Sequence, residues 1–150
     1  LYDFMTVEEN LAFPLREHGV WKPAEIRARV RAFLAMVDLA DAAMKYPAEL
    51  SGGMRKRAAL ARAMVTAPKV LLCDEPTSGL DPIRSRDISV LIRDLSKKLG
   101  CTAVITTHDV KNAFLCADRA VVLYAGRVVA QGVEKELRSL IHPFVKEFLE

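Results

Sequence analysis

Apolar positions in the first part of the chain recur at helical spacing, and after Pro68 they gather into short strand-like runs. Thr6-Val7-Glu8-Glu9 has the form of a capping box, which predicts a short helix that Pro14 bends or ends. Pro23 stands at a first helical position after Lys22. Ile26, Val30, Leu34 and Val37 follow near helical period with arginines between them. Asp41–Leu50, which contains Pro47, reads as a looser connection. From Gly53 to about Thr66 the chain is rich in Ala, Arg and Met, good helix formers, with Ser51 as a cap and Pro68 as a stop. Val70–Cys73 is an apolar run of the kind buried in a parallel sheet. A long helix begins at Pro82 and closes at Gly100. Thr102–Thr107 reads as a second strand and Arg119–Tyr124 as a third, with a helix to about Cys116 between them. A turn at Gly126 leads into a hairpin partner, Arg127–Gln131. Helices around Glu134–Leu140 and Pro143–Leu149 complete an α/β domain with a mostly parallel sheet.

Composition narrows the class without naming a chemistry. The 150 residues suit one domain, and 51% hydrophobic with 27% charged residues describes an ordered globular chain. A net charge of +3 is too mild to point to nucleic acid, and Arg27, Arg29 and Arg31, like Arg55, Lys56 and Arg57, read as solvated helix faces. Three cysteines, Cys73, Cys101 and Cys116, are odd in number and lack metal-type spacing, which fits free thiols in a reducing compartment. Apolar runs such as Ala120–Gly126 fall well short of the roughly 18 residues that a spanning helix needs. Residue 1 is Leu rather than Met and no signal peptide opens the chain, which reads as a fragment or an incomplete frame.

Two stretches carry candidate chemistry. Ser51-Gly52-Gly53 stands at the mouth of a helix, where the first amides lack intrahelical acceptors and the helix dipole adds positive charge. Glycines let that backbone approach a phosphate without a Cβ in the way, and the Ser51 hydroxyl adds a donor. By itself the tripeptide equally describes a flexible turn before a helix. The second stretch runs the apolar strand into Asp74-Glu75-Pro76-Thr77-Ser78-Gly79-Leu80-Asp81. Ligands gather at such strand exits in open parallel sheets, and adjacent carboxylates can take different tasks. Asp74 would hold Mg²⁺ through water, and Glu75 would orient and polarise an attacking water. His108 closes the next strand, while His18 and His142 have no such company and read as surface residues.

In this order the motifs resemble those of ABC-type ATPases. The resemblance makes Leu50-Ser51-Gly52-Gly53-Met54 the signature motif, with Met54 where Gln is usual, Asp74-Glu75 the magnesium-binding strand, and the loop to Asp81 the D-loop. It implies that His108 is the switch histidine contacting the γ-phosphate and Glu75, and that Asp81 helps two halves of a dimer communicate. The fold it implies is a partial P-loop NTPase, with a helical subdomain over about residues 1–66 and the remainder of the catalytic core over 67–150. ATP with Mg²⁺ would lie between head-to-tail subunits. They would drive an integral membrane permease from the cytoplasmic side of the membrane, with no nucleic acid involved.

Asn10–His18, the Met of the signature and His142-Pro143-Phe144-Val145-Lys146-Glu147-Phe148-Leu149 are similar to the ATPase of Mce/Mla-type phospholipid transporters. The alternatives are an amino-acid or ion importer ATPase, or a soluble non-transport ABC ATPase. No Gly-x-x-x-x-Gly-Lys-Ser/Thr occurs. The resemblance therefore implies truncation ahead of Leu1 and loss of the Walker A strand and helix. A chain without them is expected neither to hydrolyse ATP nor to fold robustly on its own.

Overall fold

The computed structural model describes residues 1–149. Three helices form the first layer: α1 (Val7–Glu17), α2 (Pro23–Met36) and α3 (Gly52–Met64). Helix α1 starts at the expected capping box: the Glu9 amide donates to Thr6 Oγ1 at 3.2 Å, and the Thr6 amide donates to Glu9 Oε2 at 2.8 Å. Pro14 does not end it. The helix runs on to Glu17 because Leu15 is fully buried and holds the last turn on the core. Before α2, the Lys22 amide is taken up by Glu25 Oε2 at 2.8 Å. The Asp41–Leu50 connection is tighter than the sequence suggests and contains two short 3₁₀ turns, Ala40–Ala42 and Pro47–Glu49.

Strand β1 (Val70–Asp74), helix α4 (Pro82–Leu99) and strand β2 (Thr102–Thr106) follow. Gly100 caps α4 in the left-handed conformation at φ 64°, which a glycine adopts without steric cost. β1 and β2 pair in parallel, with Leu71 opposite Ala103, Cys73 opposite Ile105 and Asp74 opposite Thr106. Leu71 and Cys73 belong to an apolar cluster that also takes in Ile88, Ile92 and Leu95 of α4 and runs from Val7 to Cys101. Each fully buried Val or Leu in it contributes about 1.5–3 kcal/mol. The opposite face is open: Leu72 is 76% exposed and Val104 52%. The expected burial of this strand on both faces is thus met on one face only among the described residues.

After α5 (Val110–Cys116), strand β3 (Ala120–Tyr124) pairs antiparallel with β4 (Arg127–Gly132). The parallel α/β reading holds for β1 and β2, but β3 does not join them. A cleft of about 900 Å³ is lined by residues of both β2 and β3. Helices α6 (Glu134–Arg138) and α7 (Pro143–Leu149) close a second, smaller cluster of Val122, Ala130, Leu137, Val145 and Leu149. Ring contacts from Tyr124 through Phe144 to Phe148 extend it. Among the described residues, no helix is long and apolar enough to cross a membrane.

Candidate functional site

The parallel pairing brings three of the expected residues to one end of β1 and β2. Asp74 is the last residue of β1, and its Oδ1 accepts a hydrogen bond from the Thr106 hydroxyl across the strands. Glu75 leaves the strand in the left-handed region at φ 44°, a conformation that costs a non-glycine residue energy. Three bonds hold its backbone there. The Glu75 amide donates to the Thr106 carbonyl at 3.0 Å, and the Glu75 carbonyl accepts from the Ser78 amide at 3.1 Å and from Lys56 Nζ at 3.4 Å. The turn aims the carboxylate away from Asp74 and toward the end of β2. There Glu75 Oε1 meets His108 Nδ1 at 2.8 Å and accepts from the His108 amide at 3.1 Å.

This pairing raises the His108 pKa above its ordinary 6.5. The hydrogen bond to Glu75 is the main cause, the Glu75 charge adds to it and Asp109 helps, against a desolvation that lowers it. An Nδ1–H donating to the carboxylate is the arrangement that this pairing favours. Thr107 Oγ1 accepts from the Asp109 amide at 3.0 Å, and Asp109 in turn caps α5 through the Asn112 amide at 3.1 Å. The loop carrying His108 is thus tied down on both sides.

Ser51, Gly52, Gly53 and Asp81 form a second group. Ser51 Oγ accepts from the Met54 amide at 3.3 Å and caps α3. A Cβ built on Gly52 would lie 3.5 Å from Leu80 Cδ2, and one on Gly53 3.6 Å from Arg84 Cδ. These are ordinary contacts, and neither glycine has a positive φ, so the chain's own packing does not require glycine at either position. Met54 packs against the main apolar cluster. Asp81 caps α4: its Oδ1 accepts from the amides of Ile83 at 3.1 Å and Arg84 at 3.0 Å, while Oδ2 lies 3.2 Å from Arg84 Nε. These bonds, the Arg84 amide foremost, hold its carboxyl below the usual range. No hydrogen bond or ion pair among the described residues joins Asp81 to Asp74 or Glu75. Lys56 links the two groups, carrying α3 to the backbone of Glu75.

The donor set suits a hydrated Mg²⁺. No group of three or more His, Cys, Asp or Glu among the described residues could hold a metal by itself. Asp74 offers a carboxylate with one oxygen engaged by Thr106 and no partner on the other among the described residues. A hard cation that keeps its waters and leans on substrate phosphates needs no more than one or two such ligands.

Sequence reasoning passed over Thr106 and Lys56. Thr106 reads there only as a good strand former, and Lys56 only as part of a solvated basic face. Of the two basic clusters, Arg27 and Arg31 on α2 are exposed, as is Arg55 on α3, though its guanidinium also donates to the Leu50 carbonyl at 2.9 Å. Arg29, however, donates to the Val65 carbonyl and lies over the Trp21 ring at 4.9 Å, and Arg57 pairs with Asp38 at 3.0 Å. His18 and His142 are exposed, as expected.

The ABC transporter family profile matches residues 1–78. A probable ribonucleotide transport ATP-binding protein, Mkl, of Mycobacterium tuberculosis is 44% identical over 149 residues, which are 99% of this chain and 42% of that protein. Methionine import ATP-binding proteins, MetN, are also similar. The one from Carboxydothermus hydrogenoformans is 45% identical over 150 residues (99% of this chain, 44% of that protein), and the one from Caulobacter vibrioides is 48% identical over 139 residues (92% and 41%). The chain thus spans less than half the length of these relatives.

Proposed function

This chain belongs to the ABC transporter family, and on that premise we propose that it is part of an ATP-binding and ATP-hydrolysing subunit that works as a head-to-tail pair on an integral membrane permease. The observation that carries the reading is the bond of Glu75 Oε1 to His108 Nδ1 at 2.8 Å beside Asp74, at the exits of two paired parallel strands. Asp74 holds Mg²⁺ through water. An ion held there would supply charge neutralisation to the phosphates of a bound nucleotide. Glu75 orients the attacking water and draws charge from it. His108, bonded to Glu75 through Nδ1, keeps that carboxylate aimed and presents its other ring edge to the γ-phosphate.

Ser51, Gly52 and Gly53 offer amides and a hydroxyl to the nucleotide held by the partner subunit, and Asp81 lies at the junction where the two subunits respond to each other. That neither glycine is required by internal packing supports an approach by something outside the chain. Residues 1–66 form the helical subdomain and 67–150 the remainder of the catalytic core. The permease places the subunit on the cytoplasmic face of the membrane.

The full-length gene product tests the reading. Glu75→Gln should keep nucleotide binding, lower phosphate release by about 10²–10⁴-fold and trap the nucleotide-bound dimer. Undiminished hydrolysis removes Glu75 from the chemistry.

For the cargo, Asn10–His18, Met54 and the segment His142–Leu149 support phospholipid transport. The similarity to MetN supports a second reading, amino-acid import. Reconstitution with the cognate permease separates the two: ATP-dependent movement of labelled phospholipid upholds the first, and uptake of labelled methionine upholds the second.

A further inference from the structure

Thr106 is the residue through which β2 touches both acidic residues. It is the register partner of Asp74, so the two side chains stand side by side on the same face of the parallel pair, next along from Leu72 and Val104. Its hydroxyl donates to Asp74 Oδ1, and its carbonyl accepts the Glu75 amide at 3.0 Å. Among the described residues, Asp74 has no other side-chain partner, whereas Glu75 has His108.

We propose that Thr106 is a positioning residue for the metal-holding carboxylate, fixing the rotamer of Asp74 so that its free oxygen faces the cation. This rests on the assignment of Mg²⁺ to Asp74 made above. The physical argument is one of freedom. Asp74 is exposed at a strand tip, where an unheld carboxylate samples several rotamers and must be ordered when the ion arrives. A hydroxyl bonded to a charged oxygen makes a strong, directional restraint. It uses one of the carboxylate's roughly four lone-pair sites and leaves the rest for water-bridged metal. Groups that orient a metal-binding carboxylate in this way typically change affinity by about 10–100-fold when removed.

The test uses the full-length protein and measures divalent-ion affinity directly, by Mn²⁺ electron paramagnetic resonance in the presence of ADP, with metal-free ADP affinity measured separately. Thr106→Val keeps the β-branched shape in an exposed position, and circular dichroism checks that it folds. It should weaken Mn²⁺ binding about tenfold or more with metal-free ADP affinity unchanged, and Thr106→Ser should restore it. Asp74→Asn serves as the reference. If Asp74→Asn loses the ion while Thr106→Val binds it as the parent does, the positioning role is overturned and the metal assignment stands. If Asp74→Asn binds Mn²⁺ normally, the assignment beneath the proposal fails. Equal weakening by Val and Ser also overturns it, because the hydroxyl would then not be the cause.

Discussion

His108 and Glu75, 33 residues apart, share two hydrogen bonds on one oxygen: Glu75 Oε1 takes the His108 ring nitrogen at 2.8 Å and its backbone amide at 3.1 Å. The amide bond is independent of pH and holds the carboxylate even when the ring is neutral. The ring bond adds a charge that titrates.

The first prediction follows from that titration. Because Glu75 raises the His108 pKa, the ring should remain charged to higher pH than a free histidine at 6.5, and Glu75→Gln should bring its midpoint down. The pairing stabilises the fold below the pKa of the unfolded histidine, and this contribution is lost as pH rises through the folded value. Ring-proton NMR across neutral pH checks it. A midpoint that Glu75→Gln leaves in place removes the coupling.

Fold and function should separate at Gly53. Its nearest neighbour on the Cβ side is Arg84 Cδ at 3.6 Å, so Gly53→Ala fits and should raise stability by up to about 1 kcal/mol through the unfolded chain and helix propensity. The same methyl would stand between the helix amides and a partner's nucleotide. Thermal melting of the full-length variant should therefore hold or rise, while light scattering with a non-hydrolysable ATP analogue should show weakened pairing. A variant that pairs like the parent would place the nucleotide elsewhere.

Asn10 is fully buried and ties the segment before α1 to the helix. Its Nδ2, with two hydrogens, shares them among the carbonyls of Tyr2, Met5 and Thr6, each 3.0 Å away, and its Oδ1 accepts from the Tyr2 amide at 2.7 Å. Asn10→Leu strands these groups and should cost about 2–3 kcal/mol in urea denaturation of the full-length protein. A cost within about 0.5 kcal/mol would mean that water satisfies them as well.

Burial pushes the Cys73 thiol up to about 11. At pH 8 only about 0.1% of it is thiolate, so folded protein should label slowly with a disulfide reagent at this position and quickly once denatured. Peptide mapping after timed labelling reads this out, and rapid modification of Cys73 in the folded state would contradict its packing against the core.

Features set within three or four residues were legible in the chain. The Thr6–Glu9 box, the Ser51 cap, the Pro82 start and the Gly100 stop all appear where the sequence places them, because each is a bond or a backbone preference between near neighbours. Pro14 shows where this fails: its local tendency to stop a helix is overridden by the burial of Leu15 beyond it. Val70–Cys73 likewise reads as fully buried from its composition, yet composition cannot say which faces find a covering layer.

From sequence alone came the order of the motifs, the α/β class with a mostly parallel sheet, of which one parallel pair is found, and the identity of the acidic and histidine residues at the strand exits. The tertiary structure decided which of them touch. Register between strands joined by a helix depends on packing along the whole crossover, so nothing near Thr106 announces that its hydroxyl will meet Asp74; the β3–β4 hairpin was legible at Gly126, but not that β3 stays out of the β1–β2 sheet.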